Sequence, residues 1–341
     1  MKTSILIGTY TSGGSSQGIY EAELDHESGA MGGARLVIFQ KEPSYLALSG
    51  DGKRLYAVEE TVPHGRVFSY ELTVSGWVQT GVKPSGGSAP CHVMLDEEHH
   101  TLAVADYMDG AVSFCGLDAL GALRGGCQTV VMEGQGVNPK RQECAHAHQC
   151  VRYEDKVLVC DLGTDAVRVF HRGADGRYGE EAPLVQTRPG AGPRHMVLTQ
   201  DGAMLYLLCE LQNVLYAFRK TDKGFVEEGV YGYLPADVPQ SSAAAVRLSN
   251  DERFLFASSR GGYSAVALFE LDPKTRLPRL RDVCSCGATP RDILPAGEFL
   301  LCACQDANAV QVMRLDREYK KLAVQGEIPV PRPVCMVMRH R

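Results

Sequence analysis

The sequence predicts an all-β chain folded as a seven-bladed β-propeller, with four antiparallel strands in each blade. Three observations carry this. A strand–turn–strand unit recurs along the whole chain, an alternating third strand follows each copy, and the two ends of the chain are out of phase by one strand.

The recurring unit is a proline or small residue, a short apolar strand, a turn and a second strand. PSYLALSGDGKRLYAVEE (43–60) is echoed by PCHVMLDEEHHTLAVADY (90–107), PRHMVLTQDGAMLYLLCE (193–210) and AAVRLSNDERFLFASSR (244–260). Shorter copies are HQCVRYEDKVLVCDL (148–162) and PRDILPAGEFLLCACQ (290–305), and PVCMVMR (333–339) is a half copy. Ser44 to Glu60, Cys91 to Tyr107, Arg194 to Glu210 and Ala244 to Arg260 each span sixteen positions. His148 to Leu162 and Arg291 to Gln305 span fourteen, as two missing turn residues require.

A strand with a two-residue period follows each second strand: QGIYEAEL, GRVFSYEL, GAVSFCGL, DAVRVF, NVLYAF, SAVALFEL and NAVQVMRL. Weaker fourth strands such as GFVEEGVY (224–231) precede the next copy. Period-two alternation broken by Gly, Asp and Asn turns is the mark of antiparallel sheet. Four strands repeated every 43 to 57 residues describe propeller blades around a channel. The chain begins with a second strand (SILIGTY, 4–10) and ends with a first strand (PVCMVMR), so the termini together complete one blade and leave no open edge. All 341 residues are read as one domain.

Composition narrows the function classes. At 44% hydrophobic and 22% charged residues the chain has enough apolar surface for a core. A net charge of −6 argues against a nucleic-acid or membrane-surface partner. No apolar run reaches the ~20 residues that span a bilayer. The apolar run near the N-terminus has four residues, short of the roughly 7–15 of a secretory signal. The expectation is a cytoplasmic monomer or weak homodimer. Most of the twelve cysteines lie inside apolar runs, and Cys284/Cys286 and Cys302/Cys304 form Cys-x-Cys pairs without any Cys-x-x-Cys. They read as reduced, buried structural thiols, with neither disulfides nor a metal site expected from their spacing.

In a propeller the first strand of each blade lines the channel, so equivalent positions form rings. The slot opening the first strand holds Ser44, Cys91, His148, Arg194, Ala244, Arg291 and Val334. The slot ending the second strand holds Tyr10, Glu60, Tyr107, Leu162, Glu210, Arg260 and Gln305. Ala244 and Val334 show what a purely structural slot needs. His148, Arg194, Glu210, Arg260 and Arg291 are costly to desolvate unless they are paired or meet a ligand. The two readings are an inter-blade salt-bridge network and an anion-binding or catalytic site. Arginine forks onto carboxylate or phosphate and stabilises a developing oxyanion. A histidine takes a proton from water, and Glu210 orients it or acts as base.

Competing motifs carry less. TSGGSSQG (11–18) opens no helix and reads as a blade loop, not a phosphate loop. EEHH (97–100) is a polar hairpin turn. Glu59 and Glu60 face opposite sides of a strand, and only Glu60 fits the ring. In RQECAHAHQC (141–150), His148 occupies the ring slot and His146 lies in the loop before it, in a supporting or rim position. A metal clamp there lacks a third ligand, because neighbouring slots hold arginines.

The stretches IGTYTSGGSSQGIYEAELD, EPSYLALSGDGKRLYAVEE, RQECAHAH, VCDLGTDAVRVF and GAGPRHMVLTQDGAMLYLLCEL resemble the seven-bladed propeller lactonases. That family includes bacterial 6-phosphogluconolactonases of the propeller type and fungal carboxymuconate-lactonising enzymes. The resemblance covers essentially the whole chain. It implies a catalytic set of His148, Arg194, Glu210 and Arg260. Around it are expected substrate contacts from Arg291, His146, His195, Glu60, Tyr107 and Gln305, with no metal and no cofactor. This chain has Cys209-Glu210 and Ser259-Arg260 where the family tends to write Asn-Glu and Asn-Arg. The leading expectation is hydrolysis of the small anionic sugar lactone 6-phosphoglucono-δ-lactone, a step of the pentose phosphate pathway. A muconate-type lactonising isomerase and a non-catalytic scaffold are the alternatives.

Overall fold

The structure is a computed structural model and describes residues 1–235, 237–238 and 241–339. Among the described residues it is all β, with seven four-stranded antiparallel sheets and no helix. Each blade is a meander whose strands run outward from the axis in chain order, for example Pro193–Leu198, Met204–Cys209, Val214–Thr221 and Gly224–Gly232. One blade closes the ring as the phase of the ends predicts. The C-terminal strand Pro333–Arg339 pairs antiparallel with Lys2–Thr9, which continues into Gly18–Asp25 and Arg35–Phe39.

Alternation sends one set of side chains from each strand into each of the two flanking blade interfaces. Ile5, Ile7 and Ala22 thus pack against Leu301, Val310 and Val312 of the neighbouring blade. Full burial of such a side chain is worth roughly 1.5–3 kcal/mol, so the interfaces rather than the individual hairpins supply most of the stability. The innermost strands touch one another around the axis.

Those inner strands share one irregularity. Pro193 pairs with Cys209 and His195 with Leu208, which leaves Arg194 outside the ladder. His148 is skipped between Ala147 and Gln149, Arg291 between Pro290 and Asp292, and Cys91 between Pro90 and His92. Val334 and Ala244 fall at the same shift in their blades. A β-bulge inserts one unpaired residue and re-aims its side chain. The ring slot found by counting is therefore a bulge slot. Two residues before it, Glu42, Ala89, Gly192, Thr289 and Arg332 all have positive φ, between 45° and 69°. Four of these five are not glycine, so the kink that feeds the strand into the channel is held against its steric cost.

The cysteine expectation needs a correction. Cys115 and Cys127 form a disulfide. They are directly opposed on the third and fourth strands of one blade, Ala111–Leu117 and Leu123–Val131. Their spacing looks unremarkable in the sequence because it is only the length of a hairpin, and the register brings the two Cα atoms to 4.2 Å.

Candidate active site

The ring slots converge. Ser44, Cys91, His148, Arg194, Arg291 and Val334 line one cavity at the channel mouth, together with Tyr45, Glu60, His195 and Asp292. The second ring is set by a repeated backbone bond. In six blades the N–H of the residue ending the second strand donates to the carbonyl two positions before the neighbouring ring slot: Tyr10 to Arg332, Glu60 to Glu42, Tyr107 to Ala89, Leu162 to His146, Glu210 to Gly192 and Gln305 to Thr289, at 2.7–3.1 Å. This clamps the two slots of a blade side by side.

Glu210 is the hub. It is 2% exposed and accepts from Arg194 Nε at 2.9 Å, Arg260 Nη2 at 3.1 Å and Arg141 Nη2 at 2.7 Å. Burial alone would raise its pKa. The guanidiniums of Arg260, Arg194 and Arg141 reverse that and hold it down at about 2. It is a fixed carboxylate and a poor base at neutral pH, whatever role its position suggests. Arg194 also donates to the carbonyl of Ala244 and, at 3.3 Å, to His195 Nε2. Arg260 is pulled down to about 9 by burial and by the charges of Arg194 and Arg291, and stays protonated at neutral pH.

Across the channel Arg291 Nη2 donates to Tyr10 Oη at 2.7 Å, and the Tyr10 hydroxyl donates to Glu60 at 2.9 Å. Burial pushes the Tyr10 phenol well up, so it stays neutral. Four guanidiniums, from Arg141, Arg194, Arg260 and Arg291, thus face two carboxylates, Glu60 and Glu210. A deeper Arg247–Asp292 pair, 2.9 Å apart, is balanced within itself. The surplus positive charge is what an anionic ligand would neutralise.

His148 is 6% exposed and makes no strong hydrogen bond among the described residues; its Nδ1 lies 4.0 Å from Cys91 Sγ. Burial, and then the charges of Arg194, Arg291 and Arg260, push its pKa well below the ordinary histidine value. It is a neutral imidazole with a lone pair to offer. His195 lies 5.5 Å away by ring centroid and His92 a further 6.2 Å on, both also held neutral by burial. Cys91, beside them, is an inert thiol whose pKa burial raises.

The remaining expected contacts are placed as follows. His146 lies outside the cavity, stacked on Tyr107 with 4.5 Å between centroids, and its Nδ1–H donates to the Tyr107 carbonyl at 2.8 Å. Tyr107 in turn accepts from Arg141 at 3.1 Å. His146 therefore supports the Tyr107 side of the site and does not line it. Gln305 is buried at its ring position, donating to Asp306 Oδ1 at 3.0 Å. Ser44 Oγ, His195 Nδ1 and Gln305 Oε1 are buried polar atoms with no partner among the described residues. Such groups cost free energy unless a ligand or water meets them.

The repeat does not point to Arg141, nor to Tyr45, His92, Arg247 and Asp292, and the structure adds all five to the site. Arg141 sits in an aperiodic loop and reaches Glu210 across 69 positions. That loop is held by Asp165 of the Leu-Gly-Thr-Asp turn and by Asp161 just before it. Asp165 accepts from Gln142 Nε2 at 2.8 Å and from the N–H groups of Gly190 and Gly192 at 2.7 and 2.9 Å, joining the Arg141 loop to the Arg194 loop. Asp161 accepts from the His146 N–H at 2.8 Å. Gly163 lets this turn lie flat beneath the loop, since a Cβ there would come within 1.9 Å of the Cys144 carbonyl.

Comparison with known proteins finds the same fold along the whole chain. The family model described as lactonase, 7-bladed beta-propeller, matches residues 4–338. The 6-phosphogluconolactonase of Bacillus subtilis is 29% identical over 346 residues, covering 98% of each chain. The protein of the same name from Formosa agariphila is 27% identical, over 93% of this chain and 94% of its own. Among solved structures, the Pseudomonas aeruginosa periplasmic gluconolactonase PpgL superposes with a TM-score of 0.92 at 28% identity, over 100% of this chain and 99% of its own. Matched by that family model almost from end to end, the chain belongs to the family of seven-bladed β-propeller lactonases.

Proposed function

We propose that this protein hydrolyses a sugar lactone carrying negative charge, 6-phospho-D-glucono-1,5-lactone, to the open-chain 6-phosphogluconate of the pentose phosphate pathway. The observation that carries the reading is the surplus of guanidiniums around a neutral, buried His148. The names of the relatives support the substrate class. His148 takes a proton from a water molecule as the water oxygen adds to the ring carbonyl. The carbonyl oxygen becomes an oxyanion facing Arg194 and Arg260, whose charge is already fixed in place by Glu210. Collapse breaks the ring C–O bond, and the imidazolium returns its proton to the leaving alkoxide, so His148 ends as it began. Arg291, anchored by Tyr10, holds the phosphate. Glu210 positions guanidiniums and carries no proton.

The test is hydrolysis measured with chelator present, for the phosphorylated lactone, for unphosphorylated gluconolactone and for a cis,cis-muconate. Acceleration over the spontaneous rate, larger for the phosphorylated ring, is expected. Muconate turnover without lactone hydrolysis would replace the reading with that of a lactonising isomerase.

A further inference from the structure

Cys286, Cys302 and Cys304 bring three sulfur atoms together at the interface between two blades, away from the ring of guanidiniums, and all three lie within 4.8 Å of one another. Two of them, Cys302 and Cys304, belong to strand Phe299–Cys304, where positions two apart share a face. Cys286 comes from the adjacent blade, just beyond strand Pro278–Ser285, and its N–H is fixed to the Ser264 carbonyl at 3.1 Å. The next residue, Gly287, approaches so closely that a Cβ would meet Cys304 Sγ at 3.1 Å. A side chain at this position would crowd the pair, so glycine eases the approach of the Cys286 loop.

The separations suit coordination. Cys302 and Cys304 Sγ are 3.7 Å apart, and Gln311 Oε1 is also 3.7 Å from Cys304 Sγ. A tetrahedral ion with Zn–S bonds near 2.3 Å and a Zn–O bond near 2.1 Å needs S–S edges of about 3.8 Å and S–O edges of about 3.6 Å. Gln311 is itself oriented, its Oε1 accepting from the Gly287 N–H at 2.9 Å and its Nε2 donating to Glu327 at 3.0 Å. That is the outer support metal ligands usually have. The sulfurs are packed among Phe254, Val266, Leu300 and Met313, an apolar wall that disfavours hard, strongly hydrated ions. Cys286 is only half-buried and leaves a way in.

We propose that Cys286, Cys302 and Cys304 form a binding site for a thiophilic d10 cation of the zinc class, with Gln311 Oε1 at the fourth corner. Binding takes all three sulfurs as thiolates and is accompanied by release of the protons they still hold. Cys304 pairs with Pro290, the residue before Arg291, so the ion would stiffen the hairpin from which Arg291 projects.

Titration of the native protein, kept reduced with a non-thiol reductant, with Co²⁺ tests this. Expected are a thiolate-to-cobalt charge-transfer band that saturates at one ion per chain and its displacement by Zn²⁺. C286A should weaken binding beyond the roughly 10–100-fold that a lost supporting contact costs. The half-buried position of Cys286 favours a folded variant, and its melting curve without metal checks this. C144A, which removes the thiol beside Glu143 and His146, should leave the band unchanged. A wild-type protein with no saturable band overturns the proposal without recourse to any variant. So does a band in C286A that saturates at the same Co²⁺ concentration as in the wild type, or one that disappears in C144A. Lactone hydrolysis in chelator is a separate readout, so the two proposals fail independently.

Discussion

Arg194 and Glu210 form an ion pair 2.9 Å long with each residue only 2% exposed, and this contact ties the two rings of the site directly together. Removing one member of a buried pair strands the other, at a cost of roughly 3–5 kcal/mol. E210A should therefore destabilise the fold by about that much, because four guanidiniums would then face Glu60 alone. The R194A/E210A double variant should recover part of the loss. Urea unfolding of the two single variants and the double measures the coupling, and strictly additive losses would count against it.

Arg141 can be separated from the fold. It is the most exposed of the three guanidiniums on Glu210 and projects from a loop. R141A should unfold within about a kcal/mol of wild type. It should raise KM for an anionic lactone by roughly 10–100-fold, the worth of a charge-assisted hydrogen bond. Steady-state kinetics with phosphorylated and unphosphorylated lactone reads the difference.

His148 should act on turnover. H148Q keeps much of the volume and removes the basic nitrogen, and kcat should fall roughly 10²–10⁴-fold with little change in KM. In the wild type the acid limb of kcat/KM should lie below the ordinary histidine range of about 6.5, because burial and three arginines oppose protonation. A limb above that range would remove His148 as the base.

Stability should also fall in acid, with a definite sign. His92, His148 and His195 are held neutral in the fold, so the unfolded chain binds more protons once pH drops below about 6.5. Between pH 6.5 and 5.5 each costs roughly 1 kcal/mol. Asp106 works the other way. Burial raises its pKa to about 7, so the folded state binds the extra proton and gains roughly 1 kcal/mol over the same window. Glu210, held at about 2, does not contribute there. The net expectation is a loss of roughly 2 kcal/mol, steeper in D106N, read from urea unfolding at the two pH values.

The Cys115–Cys127 bond closes a short loop within one hairpin. Chain-entropy reasoning gives about 3 kcal/mol for a loop of this length. C115S/C127S should therefore melt several degrees lower, and reductant should shift the wild type toward the same temperature.

Much of this architecture could be read from the chain because a blade is a local object. The sixteen-residue spacing of Arg194 and Glu210 is the length of a hairpin, so counting finds both slots without knowing the shape of the channel. What counting misses lies outside the hairpin or one step along it. Arg141 comes from a loop with no period, and its partner is fixed only when the blades close into a ring. His92 and Asp292 follow their slots by one position, and only the bulge turns such neighbours toward the axis as well. Cys115 and Cys127 needed the register of a third and fourth strand whose alternation is weak. The bulge itself has no residue signature beyond the proline or small residue before it.

The bulge slot also bears on how such a protein changes. A residue outside the ladder contributes no cross-strand hydrogen-bonded pair, so the backbone of the sheet does not dictate its identity, and an apolar slot such as Ala244 or Val334 carries no buried ion pair to lose. The propeller is in effect a toothed wheel with one interchangeable tooth per blade. Ala244 and Val334 are blanks in this copy, while His148, Arg194 and Arg291 are cut. New chemistry can be dialled in at a blank one tooth at a time, with the wheel still turning out the same fold.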